Sequence, residues 1–294
     1  HTRPKVDRLT ALDVLRQGRK RIFLLNEEAF GYLENVALSK AAQAVLPKWQ
    51  SDKVWEEAAF MKRLEKALPN LNTQQHTAIL GAAAVAAYHA EKDVPIVDTL
   101  VCDDASVFHW LTRAMMLCWV HDGRAYKKLE PVIALHRQQL ADFRKRYWEY
   151  YHQLLAYREK PTAEECKRLE SEFDILFETK TGYDDLDQRI AKTRTKKISL
   201  LQVLQHPELP LHNNASELAV RQRVRKRDVS FGPRTQLGLQ AWDTFMTLAD
   251  TARKLGISFY AYIRDRVSGT NQIPPISILV TKRARELNLG WSWG

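Results

Sequence analysis

The sequence has few of the features that mark membrane or secreted proteins. No apolar run approaches the roughly 18–20 residues that a membrane helix requires, and the longest one, residues 78–88, is rich in alanine. The first five residues are polar and basic, so we expect no signal peptide. Cysteine is scarce and lacks CxxC spacing, which predicts reduced thiols in a cytoplasmic protein and neither a zinc site nor a disulfide framework. The three cysteines are Cys102, Cys118 and Cys166.

Several enzyme motifs are also missing. The sequence contains no GxSxG, no P-loop, no dinucleotide-binding glycine pattern and no HExxH. It also has no recognisable helix-turn-helix or zinc finger. What it does have is a net charge of +10, from 45 Lys and Arg against 35 Asp and Glu. This balance favours a polyanionic partner, nucleic acid before membrane.

The composition, with 45% hydrophobic and 27% charged residues, is typical of a globular protein that buries a core. The amino-terminal third predicts mostly helix and shows no catalytic spacing. Its predicted elements are a helix over 8–17, a strand over 21–25, a helix over 27–33 capped by Asn26, and helical structure over 40–92 broken at Pro47 and Pro69.

The pattern then changes to two short apolar runs of β type, residues 96–102 and 115–120, with a short helix predicted between them over 106–113. Strand, helix and strand in so few residues predict a βαβ unit with parallel strands. Open α/β sheets place their sites just beyond the carboxyl ends of parallel strands. The polar residues at these two positions are Asp103, Asp104 and His121.

Long helices dominate the remainder. Residues 127–200 predict a helical hairpin broken at Lys160-Pro161, with an apolar stripe on each helix. The stripes are Phe143, Tyr147, Tyr150, Tyr151, Leu154 and Leu155, then Leu169, Phe173, Leu176 and Phe177. Later predicted helices cover 215–225, capped by Asn213-Asn214 after a proline-fixed approach, 239–255 ended by Gly256, and 259–267.

Two carboxylates are candidates for metal chemistry. Asp103 ends a predicted strand at the carboxyl edge of a parallel sheet, a position suited to Mg²⁺ or Mn²⁺, and the alternative is that it caps the next helix. Glu217 lies on a predicted helix with Arg221 four residues later on the same face. For Glu217 the alternative is an ordinary surface ion pair, which contributes little to stability.

The densest basic run of the sequence, residues 221–234, follows Glu217 on the same helix and its following turn. Phosphate contacts would explain a basic run beside an acidic metal site, whereas the alternative is a solvated helix face. A weaker basic patch at 192–197 is interpreted as solvated surface. His121 is either a site residue or a satisfied polar group at the end of a strand.

Three segments, in this order, resemble landmarks of DDE transposases of the insertion sequence 66 family. They are CDDASVF at 102–108, CWVH at 118–121 and HNNASELAVR at 212–221, followed by SFG at 230–232, Gly238 and KLGISF at 254–259. The resemblance extends over about residues 1–285. Its specificity lies in the order and spacing of the segments, since no single one is decisive.

The resemblance implies an α/β protein with a ribonuclease-H-like core, incomplete at the amino terminus, and large helical insertions. It implies three carboxylates that hold two divalent ions, Mg²⁺ or Mn²⁺, with Asp103 as the second and Glu217 as the third. The positions expected to support this site are Asp104, His121, Asn213, Asn214 and Arg221. The residues expected to contact DNA are Arg223, Arg225, Lys226, Arg227 and Arg234.

The function implied is metal-dependent DNA strand cleavage and strand transfer during transposition. The expected partners are transposon ends and target DNA, with further copies of the chain in a homo-oligomeric transposition complex and no membrane. The alternatives are a catalytically dead DNA-binding relic or regulatory fragment of a mobile element, and a structural helical protein in which both carboxylates are incidental.

The match departs from the family at the amino terminus. The first carboxylate should lie on a strand upstream of the helix over 8–17, whereas Asp7 and Asp13 lie on or beside that helix. We therefore expect a truncated chain that does not transpose DNA by itself and whose sheet has an open edge. We predict five segments. Residues 1–94 hold the beginning of a partial core and a helical insertion, 95–126 a core βαβ unit, and 127–205 a second helical insertion. Residues 206–268 hold the core helix with Glu217 and the helices after it, and 269–294 form a tail.

Overall fold

The structure is a computed structural model that describes residues 7–94 and 96–287. These residues form two compact units: unit 1 is the described part of His1–Ile96 and of Ala215–Gly294, and unit 2 is Val97–Asn214. None of the described helices combines the length and the apolar character needed to cross a membrane.

The amino-terminal part of unit 1 packs around one alanine-rich helix. Its elements are α1 (Arg8–Leu15), β1 (Ile22–Phe23), α2 (Glu27–Leu33), α3 (Lys40–Val45), β2 (Trp55–Glu56), α4 (Glu57–Ala67) and α5 (Thr73–Ala90). Residues 79–89 of α5 are all buried, because small side chains let α1, α2 and β1 approach closely. Asn26 caps α2 as predicted, since its side chain accepts a hydrogen bond from Ala29 N.

The helical prediction for residues 40–92 is wrong at β2, which pairs antiparallel with β1. In this pairing Trp55 lies opposite Phe23. The Trp55 ring lies 4.2 Å from Lys53 Nζ and 4.7 Å from Arg63 Cζ. Cross-strand pairing and cation–π contacts of this kind come from residues distant in sequence, so local periodicity does not report them.

The parallel strand pair predicted at residues 96–102 and 115–120 is confirmed, and it lies in unit 2. Strand β3 (Thr99–Cys102) runs parallel to β4 (Ala114–Leu117), with Cys102 opposite Leu117 at their carboxyl ends. The connection holds only a 3-10 turn, Ser106–Phe108, so the prediction of a helix reaching residue 113 is wrong. Trp110, with φ of 73°, lies in this connection and interrupts any helix there.

The second apolar run is not a strand throughout. Strand β4 ends at Leu117, and helix α6 (Trp119–Tyr126) begins two residues later, so His121 lies in the first turn of a helix. The Trp119 backbone N donates to Leu211 O at 3.0 Å, and its indole Nε1 donates to Leu200 O at 2.9 Å. These contacts with distant residues end the strand at a point where the apolar run continues.

The long helical region contains four helices where a hairpin of two was predicted. They are α7 (Ala134–Glu159), α8 (Ala163–Phe177), α9 (Asp184–Arg194) and α10 (Lys197–Leu200). The break at Lys160-Pro161 and both apolar stripes are confirmed, since every stripe residue is buried except Leu155, which is half-buried. The second break contains Gly182, whose φ of 81° turns the chain between α8 and α9.

The core of unit 2 centres on the Trp119 ring, which is fully buried. Its centroid lies 5.5 Å from that of Tyr147, 5.6 Å from Tyr150 and 6.2 Å from Phe173. Tilted and edge-on ring pairs at such distances add about 0.5–1.5 kcal/mol each beyond the burial of area. Helices α6, α7 and α8 are therefore held by one aromatic cluster.

The carboxyl-terminal part of unit 1 contains the remaining four described helices. They are α11 (Asn214–Ser230), α12 (Gln236–Lys254), α13 (Phe259–Val267) and α14 (Ile276–Glu286). The bounds predicted for α13, residues 259–267, are confirmed. Helix α11 extends five residues beyond its predicted end at 225, and the segment predicted as a tail contains α14. Buried Ala252, Tyr262 and Ile276 hold α12, α13 and α14 together.

The chain is a mixed α/β protein in which helices predominate. Across the described ranges, 7–94 and 96–287, the strands form two sheets of two strands each. The ribonuclease-H-like core and the five-segment organisation stay predictions.

We expect Phe173→Ala to lower the free energy of unfolding by about 3–5 kcal/mol, because the ring is fully buried against Trp119, Tyr150 and Phe177. The control is Ile175→Ala on the same helix, whose side chain is 66% exposed and whose loss should stay within about 0.5 kcal/mol. Urea denaturation followed by circular dichroism measures both values. Equal effects of the two substitutions would contradict this description of the core.

Candidate active site

A cleft of about 290 Å³ opens at the carboxyl ends of β3 and β4 in unit 2. The loop after β3, the first turn of α6 and the segment from α9 to α10 supply its walls. The charged and titratable groups that line it are Asp103, Asp104, His121, Asp122, Arg189 and Lys196. Three carboxylates face two cations here, which leaves one negative charge in excess when His121 is neutral.

Asp122 is the most deeply buried carboxylate of this cleft. Its Oδ1 forms an ion pair with Arg189, and its Oδ2 accepts hydrogen bonds from Thr193 Oγ1 at 2.9 Å and from Tyr147 Oη at 3.3 Å. Because a buried charge is tolerated only with such partners, we interpret Asp122 as the structural anchor that fixes α9 against α6.

The hydroxyl groups of Tyr126 and Tyr147 belong to this network and stay protonated. Burial, with the Asp122 carboxylate nearby, raises the pKa of both Tyr126 and Tyr147. The Tyr147 hydroxyl also donates to Trp119 O at 2.9 Å. Since Thr193 donates its proton to Asp122, the Tyr126 hydroxyl donates to Thr193 Oγ1 at 2.7 Å.

Asp104 is also neutralised by a cation, although its side chain is more exposed than that of Asp122. Its Oδ2 lies 2.6 Å from Lys196 Nζ, and its Oδ1 lies 3.5 Å from His109 Nε2. The basic patch at 192–197 was interpreted as solvated surface, and Arg194 and Lys197 do form ordinary ion pairs with Glu178 and Asp174. Lys196 differs from them, because it lines the cleft.

Asp103 is the carboxylate of this cleft that no cation neutralises among the described residues. Its side chain accepts one long hydrogen bond, from Ala105 N at 3.4 Å, and it is half-buried directly after β3. The bond to Ala105 resembles the cap that was the alternative interpretation, but the segment it starts is a single 3-10 turn. A half-buried carboxylate with free acceptor capacity is suited to a hard divalent cation.

The neighbouring thiol is a poor candidate for a ligand. Burial raises the pKa of Cys102 to about 12, and the negative charges of Asp103 and Asp104 add to this effect. The thiol therefore stays protonated near neutral pH, whereas metal binding requires the thiolate. Oxygen ligands fit this part of the cleft better than sulfur.

His121 lines the same cleft from the first turn of α6. Its Nε2 lies 3.4 Å from Arg124 Nη1, one helical turn further along. The histidine is thus brought together with Asp103, as the sequence predicted, although it lies on a helix and not at the end of a strand.

The second candidate carboxylate, Glu217, lies in the first turn of α11 and is half-buried. A negative charge is favourable at this end of a helix. Asn214 is the first residue of α11, so it does not precede the helix as a cap. Asn213 Oδ1 is buried and accepts no hydrogen bond in the part of the chain that the structure describes. Arg221 is exposed on the next turn of α11.

The predicted DNA-contacting residues differ in their surroundings. Arg223 forms an ion pair with Asp243 on α12, with both side chains 17% exposed. Arg225, Lys226 and Arg227 are exposed along the last turns of α11, and Arg234 is exposed in the turn that follows. The exposed four present their charge to solvent, whereas Arg223 ties α11 to α12.

The two aspartates near the amino terminus have structural roles in unit 1. Asp7 caps α1, since its Oδ1 accepts a hydrogen bond from Thr10 N at 2.8 Å. Asp13 forms a bidentate pair with Arg21, at 2.9 and 2.8 Å. Both residues thus lie on or beside α1, as the sequence predicted.

Sequence reasoning missed Asp122, Arg189 and Lys196 as residues of this cleft. A signal existed for Asp122, a carboxylate next to the candidate His121 in the chain. No local pattern could assign Arg189 or Lys196, because Arg189 on α9 and Lys196 in the turn before α10 lie more than 60 positions after Asp122 and Asp104 in the sequence.

We expect Asp122→Ala to destabilise the protein by about 3 kcal/mol, because it removes the buried carboxylate that binds the half-buried Arg189 guanidinium, Thr193 and Tyr147. The matched substitution Asp104→Ala removes a carboxylate that is 43% exposed and should cost about 1 kcal/mol or less. Thermal and urea unfolding measure the difference. If both variants unfold alike, Asp122 is not the anchor of this region.

Comparisons with known proteins agree with the resemblance noted in the sequence. The model of a family described as "Transposase IS66 family" matches residues 59–241, a range that includes Asp103, His121 and Glu217. A relative from Sinorhizobium fredii (strain NBRC 101917 / NGR234), named "Uncharacterized protein y4jO", is 32% identical over 278 residues. That match covers 94% of this chain and 86% of the relative. No solved structure matches the chain. The match to the family model and the similarity over nearly the whole chain show that this protein belongs to the transposase IS66 family.

Proposed function

We propose that this protein supplies Asp103 and Glu217 as metal ligands to a transposase site that catalyses metal-dependent cleavage and strand transfer of DNA. The observation that carries the proposal is the state of Asp103 in the cleft. Asp122 and Asp104 are matched by Arg189 and Lys196, whereas no cation neutralises Asp103 in the described part of the chain.

The arrangement of charges supports a cation at Asp103. Clustered carboxylates repel one another, and the cleft relieves this repulsion at two of its three aspartates through Arg189 and Lys196. The remaining negative charge attracts a cation to Asp103. The carboxyl end of a parallel strand is also where open α/β sheets place their ligands.

Glu217 is proposed as the other ligand from this chain, the third carboxylate of the family site, because it matches the glutamate of the family motif in HNNASELAVR. Carboxylate oxygens are the ligands that Mg²⁺ and Mn²⁺ prefer. When bound, two such ions supply Lewis-acid activation of the attacking hydroxyl and stabilisation of the leaving oxygen. We propose that His121, Asp104, Asn213, Asn214 and Arg221 support this site, and that a ribonuclease-H-like core carries it.

The basic surface of α11 supports DNA as the substrate. Arg225, Lys226, Arg227 and Arg234 are exposed on α11 or in the turn after it, and the whole chain carries a net charge of +10. Lysine and arginine contacts to phosphates supply affinity that does not depend on sequence and falls with salt. We propose that these four residues hold the DNA backbone, in an oligomer that brings transposon ends and target together.

We expect Asp103→Asn to weaken Mn²⁺ binding at least about tenfold, since even residues behind the ligands shift metal affinity by 10- to 100-fold. Calorimetric titration of the chain with MnCl₂ measures this. The matched control is Asp98→Asn, which changes an exposed aspartate next to the amino end of the same strand and should leave affinity unchanged. Glu217→Gln should resemble Asp103→Asn.

Each other result of that titration is also informative. Unchanged Mn²⁺ affinity in Asp103→Asn, with circular dichroism showing a folded variant, would refute the assignment of Asp103. Loss of binding in Asp104→Asn alone would transfer the ligand role to that neighbour. If the parent chain binds DNA equally in MnCl₂ and in EDTA and binds no metal, a catalytically dead DNA-binding relic becomes the better description.

We expect the double variant Arg227→Ala/Arg234→Ala to reduce the salt dependence of duplex binding. Each lost phosphate contact should lower the slope of log K against log salt by about 0.9. The control Lys167→Ala/Lys192→Ala removes the same charge from exposed positions of α8 and α9. Fluorescence anisotropy between about 50 and 200 mM salt measures both slopes. A slope change of the same size in the control would show a non-specific charge effect.

A further inference from the structure

An open groove of about 620 Å³ lies in unit 1 between α11, α12 and the start of α13. Its apolar wall comes from α12, where Trp242, Phe245 and Met246 lie on one helical face, and from Phe259 at the start of α13. These spacings of three and four residues place side chains on the same side of a helix. Phe245 is 52% exposed, so its ring is available to a ligand.

The opposite wall of the groove is cationic. Arg225 and Lys226 line it from the last turns of α11, and no carboxylate is among the described residues that line it. Both side chains are exposed. The ligand that complements this wall is therefore anionic, and it carries apolar faces that suit three aromatic rings.

The walls are held in place by contacts outside the groove. The half-buried ion pair between Arg223 and Asp243 joins α11 to α12. Gly232, with φ of 72°, turns the chain between the two helices, and a Cβ there would lie 3.4 Å from Trp242 Cζ3. The ion pair joins the two helices that form the walls, and the turn between them lies close to the indole of Trp242.

We propose that this groove binds unpaired nucleotides of a DNA strand, with bases stacked on the rings of Phe245 and Trp242 and phosphates held by Arg225 and Lys226. A positively charged groove with aromatic side chains is the chemistry that proteins use for single strands, because every base has a π face and every linkage a charge. Duplex DNA buries its base faces in stacking and cannot use the rings in this way.

This inference rests on the proposed function, and it specifies the form of the DNA substrate. Glu217 and Arg225 lie on the same helix, eight residues or about 12 Å apart along its axis. An unpaired strand end that is held near Glu217 therefore reaches the groove within a few nucleotides. The groove would keep such an end from pairing again.

The test compares three DNA ligands by fluorescence anisotropy with the whole chain, in EDTA so that metal binding plays no part. They are a labelled single strand of about 12 nucleotides, an abasic strand with the same number of phosphates, and the matching duplex. We expect the normal strand to bind more tightly than the abasic strand by roughly 5- to 100-fold, the effect of base stacking on aromatic side chains.

Two substitutions at one position identify the groove as the source of that preference. Phe245→Ala should abolish most of the difference between the normal and the abasic strand while leaving abasic affinity unchanged. Phe245→Leu keeps an apolar side chain but no ring, so it should behave like Phe245→Ala if bases stack there. The control is Tyr260→Ala, an aromatic residue that is 76% exposed and does not line the groove.

Equal affinity for normal and abasic strands would overturn the proposal, as would an undiminished preference in Phe245→Ala. Full retention of the preference in Phe245→Leu would also overturn it, because the preference would then not depend on an aromatic ring at this position. These results are independent of the metal site: base-dependent binding in EDTA stands even if Asp103→Asn leaves Mn²⁺ affinity unchanged. Conversely, if the groove does not bind unpaired bases, the proposal of metal-dependent duplex cleavage is unaffected.

Discussion

The burial of Trp119 is the constraint on which the rest of unit 2 depends. Its ring contacts those of Tyr147, Tyr150 and Phe173, and its backbone and indole N–H groups donate to Leu211 and Leu200. Because these contacts start α6 two residues after β4, the first turn of α6 lies at the carboxyl ends of both strands. His121 and Asp122 therefore face the cleft. The aromatic core and the candidate site thus share one structural origin.

The three aspartates of the cleft differ in role because they differ in the cation that neutralises them. Asp122 is buried and held by Arg189, Thr193 and Tyr147, so it contributes to the order of the helices. Asp104 shares its charge with Lys196 at the surface. Asp103 keeps its charge available, as the proposed ligand must. Identical side chains thus acquire different functions from their neighbours, which is how proteins in general separate structural from reactive carboxylates.

Helix α11 combines the proposed functions of unit 1. Its first turn carries Glu217, and its last turns carry exposed basic residues and one wall of the aromatic groove. The ion pair between Arg223 and Asp243 holds this helix to α12. In our proposal a single rigid element therefore presents a metal ligand, phosphate contacts and a place for unpaired bases along one axis. Rigid helices maintain such spacings more accurately than loops do.

The sequence by itself determined the transposase IS66 family, through the order of three segments, and most of the helices, through their apolar stripes and caps. It also predicted the parallel strands before Asp103 and His121, because a β-type run followed by polar residues is a local signal. The tertiary structure decided what local signals do not contain: that Trp119 begins a helix, that Trp55 pairs with Phe23, and that Arg189 and Lys196 neutralise Asp122 and Asp104. Glu217 as a ligand and the ribonuclease-H-like core stay predictions. The physical reason for the division is range, since caps and periodicity act over a few residues, whereas burial and ion pairing join residues far apart in the chain.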